Sequence, residues 1–172
     1  RYLESVKQFL SHAECEQDVI EIRDELYRSG YASKLRGYVP PKKITSTPHR
    51  FITSGGYELL VGRNNIQNDN LTFKVAKKGD LWVHTKDIPG SHVIMLCDGE
   101  EPSEEDYTEA ASVAARYSKA TADLVAVDYT RVKNIKKPGG SKPGFVIYKT
   151  NYTAFVHPAT DAQIEKMKVN QK

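Results

Sequence analysis

The stretch Asp80-Leu81-Trp82-Val83-His84-Thr85-Lys86-Asp87-Ile88-Pro89-Gly90-Ser91-His92 decides the fold. Its first half alternates. Leu81, Val83 and Thr85 point one way; Trp82, His84 and Lys86 point the other. The pattern predicts a strand with one greasy face and one face bearing an aromatic ring, an imidazole and an ammonium. Pro89 presets φ and Gly90 would supply a positive φ, the pairing a type II turn requires. Beyond the turn, His92-Val93-Ile94-Met95-Leu96-Cys97 is apolar on both faces and predicts an inner strand. The only Trp of the chain, two His, Lys86 and Asp87 therefore gather around one loop.

Upstream, residues 51–53, Ser54-Gly55-Gly56 and residues 57–61 read as a β-hairpin. Asn64 or Asn65 then caps a helix running through Leu71, Phe73 and Val75 to Gly79. Its polar start, with Arg63 beside it, fits either simple capping or a seat for phosphate. Still earlier, Leu3, Val6 and Leu10 mark one helical face, and Cys15, Val19, Ile22 and Leu26 another. The stripes are out of phase, with Ser11 and Glu14 set as a capping box at the break. The second helix ends near Gly30. Its spacing fits the tail of a coiled coil or an amphipathic helix lying on the core. Residues 37–48, rich in Pro, read as a linker.

Downstream, Pro102-Ser103-Glu104-Glu105-Asp106 opens a helix whose Ala110, Ala111, Ala114 and Ala115 let it lie close on a sheet. Residues 124–129 form a strand. Residues 145–149 and 152–156 suit a final hairpin about Thr150-Asn151, and Thr160 with Gln163 caps a short last helix. The expected architecture is α+β: a mostly antiparallel sheet with packed helices, preceded by a helical arm. Residues 1–36 form the arm, 37–48 the linker and 49–172 the domain.

With 39% hydrophobic and 27% charged residues among 172, the chain fits a globular fold with its own core, not a disordered one. It begins with Arg, as expected of a piece cut from a longer protein. No apolar run approaches a membrane span. Cys15 and Cys97 lack CxxC or CxxH neighbours, the usage of a reduced, intracellular protein. Net charge is only +3, but Arg131, Lys133, Lys136, Lys137 and Lys142 fall in one short stretch without an acid. That stretch reads as a basic face for a polyanion or as a solvated loop. Its Gly and Ser content permits close approach to an anion, although its spacing is not that of a P-loop. Ser91, His92, His84 and Asp87 hold the letters of a triad but sit too close in sequence, without a nucleophile elbow. His84 and His92, with His157 or Cys97, match no metal-ligand spacing. Trp82, His84 and Lys86 on one face suit a flexible polyanion, rings on bases and cations on phosphates. Taken alone, Trp82 reads as core.

Several motifs in order carry a resemblance: Val61-Gly62-Arg63-Asn64-Asn65, Gln67-Asn68-Asp69, residues 80–93, Val127-Asp128-Tyr129, residues 132–138 and Lys142-Pro143-Gly144. Together they closely resemble the C-terminal RNA-binding domain of the NFACT family, from about Ser11 to His157. The opening helix resembles the end of that family's coiled-coil middle region. The resemblance implies ribosome quality control: binding of stalled large ribosomal subunits and tRNA or ribosomal RNA in the cytoplasm, in support of template-free alanine tailing. It implies no catalysis by this domain, no cofactor and no metal. Some members are called fibronectin-binding proteins, so an adhesin or another protein-binding module is the second expectation. On this reading Arg63, Asn64 and Asn65 hold phosphate at a helix start. Trp82, His84, Lys86, Asp87, Gly90, Ser91 and His92 shape the contact surface. Lys133, Lys136, Lys137 and Lys142 add sequence-independent attraction, and about five phosphates on a single strand give a log-log salt slope near −3.5.

Overall fold

A computed structural model describes residues 1–31 and 46–169. Residues 32–36 of the expected arm, 37–45 of the expected linker and 170–172 of the expected domain lie outside the described residues. The central feature is a six-stranded sheet in the order β1-β2-β4-β3-β5-β6. The strands are β1 (His49–Ile52), β2 (Glu58–Val61), β3 (Leu81–Thr85), β4 (Val93–Leu96), β5 (Val125–Arg131) and β6 (Tyr152–Val156). Every neighbouring pair is antiparallel, so the expected α+β class with an antiparallel sheet holds.

The alternation in β3 sets two interiors. Leu81 and Val83 join Leu59, Val61, Val93, Met95, Val127 and Val156 on one face, beneath helix α4 (Glu104–Arg116). Ala110, Ala111, Ala114 and Ala115 are buried there, and small side chains are what permit a helix to sit this low on a sheet. The helix is capped as its sequence requires: Ser103 accepts from the Asp106 N–H and Asp106 accepts from the Ser103 N–H. The last helix, α5 (Asp161–Met167), repeats the device with Thr160 and Gln163. Trp82 points the other way, into a second cluster with Leu60, Leu71, Ile94, Val132 and Ile135.

Helix α3 (Asn65–Asn70) starts where expected, with Asn64 Oδ1 accepting from Gln67 N at 2.8 Å. It continues as a π-helical turn over Leu71–Val75 and stops there, short of Gly79. Helices α1 (Tyr2–Ser11) and α2 (Glu16–Arg28) differ more from expectation. Val6, Phe9 and Ile22 pack together, whereas Leu3, Leu10 and Val19 are exposed. The Ser11–Glu14 capping box does not form: Ser11 Oγ donates to Gln8 O, and Cys15, the N-cap of α2, makes no side-chain cap. The pair is docked on the domain, since Gln8 Nε2 donates to Tyr117 O and His12 Nε2 lies 3.2 Å from Arg116 O. The reason is on α2, whose inward face is acidic: Asp18, Glu21, Asp24 and Glu25 are all buried.

Two turns correct the sequence reading. Gly90 does not take a positive φ; Asp87 does, at 55°. Glycine is needed at 90 for space. A Cβ there would stand 2.9 Å from Ser118 Cβ and 3.0 Å from Thr85 Oγ1, because Gly90 pairs with Ser118 across a bridge. The expected final hairpin is also absent. β6 pairs with β5, and Ile147 instead bridges Lys136, which folds residues 132–148 back across the Trp82 face.

Candidate nucleic-acid interface

The face opposite α4 grades from apolar to polar to open. Directly opposed residues share a face, so Leu60, Ile94, Trp82 and Thr130 form one row across β2, β4, β3 and β5. The next row is His84, Asp128 and Thr153. The outermost pairs Ala126 with Phe155, which is 68% exposed. Lys86, one residue past β3, donates its N–H to Ala126 O and has an exposed side chain.

Four rings meet in the middle of this face. His84 stacks on Trp82 with centroids 5.4 Å apart and planes 11° apart. His92 meets the indole edge-on at 5.3 Å, and Tyr148 meets it at 4.9 Å. Both histidines are held neutral. Burial lowers the His84 pKa, against the Thr85 and Gly90 carbonyls and Asp128, which favour the charged ring. Burial also lowers His92 well below 6.5. His92 Nε2 lies 3.1 Å from Gly144 O and Nδ1 lies 2.8 Å from Thr72 Oγ1. A carbonyl only accepts, so Nε2 carries the proton and Nδ1 accepts from the threonine hydroxyl. Asp128 is satisfied by the Tyr148 hydroxyl at 2.6 Å and the Thr153 hydroxyl at 2.7 Å.

A cavity of about 510 Å³ opens on this cluster. Its floor is Trp82, His84, His92 and Tyr148; its walls are Thr85, residues 87–90, residues 141–146 and the start of α1. The 141–146 wall is pinned from below, since Asp69 accepts from Gly144 N at 3.0 Å and pairs with Lys137 at 3.2 Å. Gly144 itself has φ +82° and no room for a Cβ against Asn65. The tryptophan hairpin and the lysine-rich loop thus share one side of the molecule.

The named residues fall into three groups. Asp87, Lys86, Lys133 and Lys136 are exposed, and His84 is half-buried at the cavity. Trp82, Gly90, Ser91 and His92 are buried. They shape the floor from within, so the picture of an open tryptophan platform is corrected: the indole is 1% exposed because the 132–148 loop covers it. The third group is tied to partners of its own. Lys137 Nζ donates to the carbonyls of Lys142 and Phe145 besides pairing with Asp69. Lys142 Nζ donates to Ser29 O and sits 4.7 Å over the Tyr31 ring.

The phosphate seat at Arg63, Asn64 and Asn65 is corrected outright, because α2 already fills it. Glu25 Oε1 accepts from Asn65 N at 2.9 Å, Glu25 also accepts from the Tyr2 hydroxyl, and Arg63 pairs with Asp18 at 3.2 Å. Burial raises the Glu25 pKa, against the hydrogen bonds from Tyr2 and Asn65. The triad reading ends at Ser91, whose hydroxyl donates to Gly62 O inside the protein. No group of three metal-capable side chains occurs among the described residues. Phe155 escaped the sequence reading. Its signal was a phenylalanine at the solvent-facing position of a strand whose alternate residues, Ala154 and Val156, are core.

An antiparallel sheet with rings and cations on one face and a helix on the other suits nucleic-acid binding, and it is sequence comparison that defines the class. Residues 47–150 match the NFACT protein RNA binding domain, and the chain belongs to that family. It is 46% identical over 170 residues to the Rqc2 homolog RqcH of Streptococcus suis (strain 05ZYH33), and 42% identical over 170 residues to that of Bacillus subtilis (strain 168). These matches cover 98% and 97% of this chain but only 30% and 29% of the relatives' length. The fold is that of the C-terminal part of the fibronectin/fibrinogen-binding protein from Streptococcus suis. That solved structure matches with a TM-score of 0.88 and 45% identity, over 98% of this chain and 66% of that one.

Proposed function

We propose that this chain is the RNA-binding part of a cytoplasmic, ribosome-associated quality control factor that engages stalled large ribosomal subunits and tRNA and supports template-free alanine tailing of the nascent chain. The observation that carries the reading is the family match over residues 47–150, from β1 through the 132–148 loop, together with extended identity to RqcH relatives. The domain acts by binding. On this reading the RNA-binding unit is 49–172, and the pairing of β6 with β5 and the Phe51–Lys168 bridge after α5 support extending it past the matched segment.

The attraction is carried by fewer cations than sequence counting gives. Lys86, Lys133 and Lys136 face solvent, whereas Lys137 and Lys142 are engaged at home. Three phosphate contacts on a single strand give a log-log salt slope of about −2. Fluorescence anisotropy of labelled single-stranded RNA across a salt series tests this. A slope near −2 is expected, and saltproof or absent binding removes RNA from the account. Co-sedimentation of the chain with stalled large subunits, but not with vacant ones, tests the ribosomal part.

A second reading has one specific support: the solved relative is named for fibronectin and fibrinogen binding. It predicts saturable capture of fibronectin that survives nuclease treatment. The RNA reading predicts that nuclease abolishes any such capture.

A further inference from the structure

We propose that the cavity over Trp82 takes one unpaired RNA nucleotide, while the base of its neighbour stacks on Phe155. The inference rests on the RNA-binding reading and goes beyond it by naming the seat and the form of the ligand. Four observations converge.

The first is shape. The floor of the cavity is made of flat rings, and about 510 Å³ is within the range that takes a small ligand or a single nucleotide. The second is an orphan donor. Trp82 Nε1 is buried, lies in a residue that lines the cavity, and has no hydrogen-bond partner among the described residues. An indole N–H only donates, and leaving it unpaired inside a protein is costly. Each RNA base carries ring-nitrogen or carbonyl acceptors in its plane, the kind of group this donor lacks.

The third is charge. His84 and His92 are uncharged, so the floor attracts a neutral polar ring and not a phosphate or a metal ion. Charged groups line the walls instead: Arg1, Glu4, Asp87 and Lys142, the last held by Ser29 O, with the exposed Lys86 next in sequence to Asp87. That arrangement puts a base inside and its phosphates outside. The fourth is continuity. From His84 the face runs two strands over, through Asp128 and Thr153, and one row on to Ala126 and the exposed Phe155 ring, so a second base has a place to stack on the same face. A base held in a duplex cannot reach the floor without leaving its partner, which makes the site selective for single strands.

The protein carries its own reporter, since Trp82 is the only tryptophan. The 172-residue chain is titrated with labelled decanucleotides of single-stranded RNA, reading RNA anisotropy and indole emission together. Both signals are expected to saturate at the same RNA concentration. Phe155→Ala, on an exposed side chain, is expected to weaken binding about tenfold with an unchanged thermal unfolding midpoint. His84→Ala is expected to reduce both affinity and the emission change. If RNA saturates the anisotropy while indole emission stays constant and Phe155→Ala binds like the parent, the seat is elsewhere and RNA binding itself survives. Duplex RNA giving the same emission change, or UMP and AMP binding as tightly as the decanucleotides, overturns the single-strand assignment. A peptide or fibronectin fragment that alone moves the emission assigns the cavity to protein. No anisotropy change with any RNA at low salt removes the RNA reading and this seat with it.

Discussion

The two faces of the sheet are built from the same strands and to opposite rules. Beneath α4 the sheet is closed by alanines and β-branched residues, with Leu59, Val61, Val93, Met95, Ala110, Val113, Ala114 and Val127 at or near zero exposure. The opposite face places two neutral imidazoles, a buried carboxylate and an indole N–H with no partner among the described residues around a cavity. The difference separates what holds the chain together from what it presents. A face built only for stability has no use for a buried donor without an acceptor.

The largest expected effect tests that division. Leu59→Ala empties a fully buried site under α4 and is expected to cost about 2–5 kcal/mol in urea unfolding. RNA affinity of the folded fraction should not move. A parallel fall in affinity, measured well below the unfolding midpoint, would show that the two faces are not independent.

Acid comes next. Burial lowers His49 from 6.5 to about 4, with Arg63 acting in the same direction. A depressed histidine holds its full stabilisation above the unfolded value, and loses it as pH falls from 6.5 towards 4 while the unfolded chain takes up the proton. The ceiling for His49 is about 3 kcal/mol. His84 and His92 are lowered too, so their contributions have the same sign. Unfolding free energy should therefore drop between pH 7.5 and 4.5, and His49→Gln should remove only part of the drop. The tryptophan face contributes to the remainder, against the raised Glu25 and Asp69 carboxyls, and Trp82 emission should report its share. If His49→Gln abolishes the whole pH dependence, the imidazoles around Trp82 are less buried than the sheet face requires.

Much of this was legible in the sequence, and what was not has a common cause. Alternation in residues 81–85, the Asn64 cap, the Ser103 and Thr160 boxes and the alanines of α4 are local signals, and each describes the element that forms. The misreadings concern which distant group answers a polar residue. Arg63 and Asn65 do make an anion seat, but the anions are the carboxylates of Asp18 and Glu25, tens of residues away. Lys137 and Lys142 look free in a run of lysines, yet carbonyls and Asp69 hold them. Residues 145–149 have the letters of a strand, but β5 already supplied a partner for β6. The glycine at 90 was chosen for clearance from Ser118, which no turn pattern encodes. Pairing across the chain, not local preference, decided each case.

The seat filled by α2 gives the third test. Arg63→Ala removes a partner from Asp18, whose side chain is 4% exposed while that of Arg63 is 21% exposed. Breaking a fully buried pair costs about 3–5 kcal/mol, and the partial exposure of Arg63 reduces this to roughly 1–2 kcal/mol. RNA affinity should stay the same, because the guanidinium faces α2. Weakened RNA binding at unchanged stability would return Arg63 to the interface.

The smallest change in stability accompanies the surface lysines. Lys133 and Lys136 are exposed and make no salt bridge among the described residues. Lys133→Glu with Lys136→Glu should leave unfolding within about 0.5 kcal/mol of the parent. The same pair should weaken every single-stranded RNA alike and shift the log-log salt slope from about −2 towards −0.7, the value for one remaining phosphate contact. Indole quenching at saturating RNA should persist, since neither lysine lines the cavity. A loss of quenching with an unchanged slope would reverse the roles: the lysines would then be positioning the base, and the phosphate contacts would lie with Lys86 and the cavity rim.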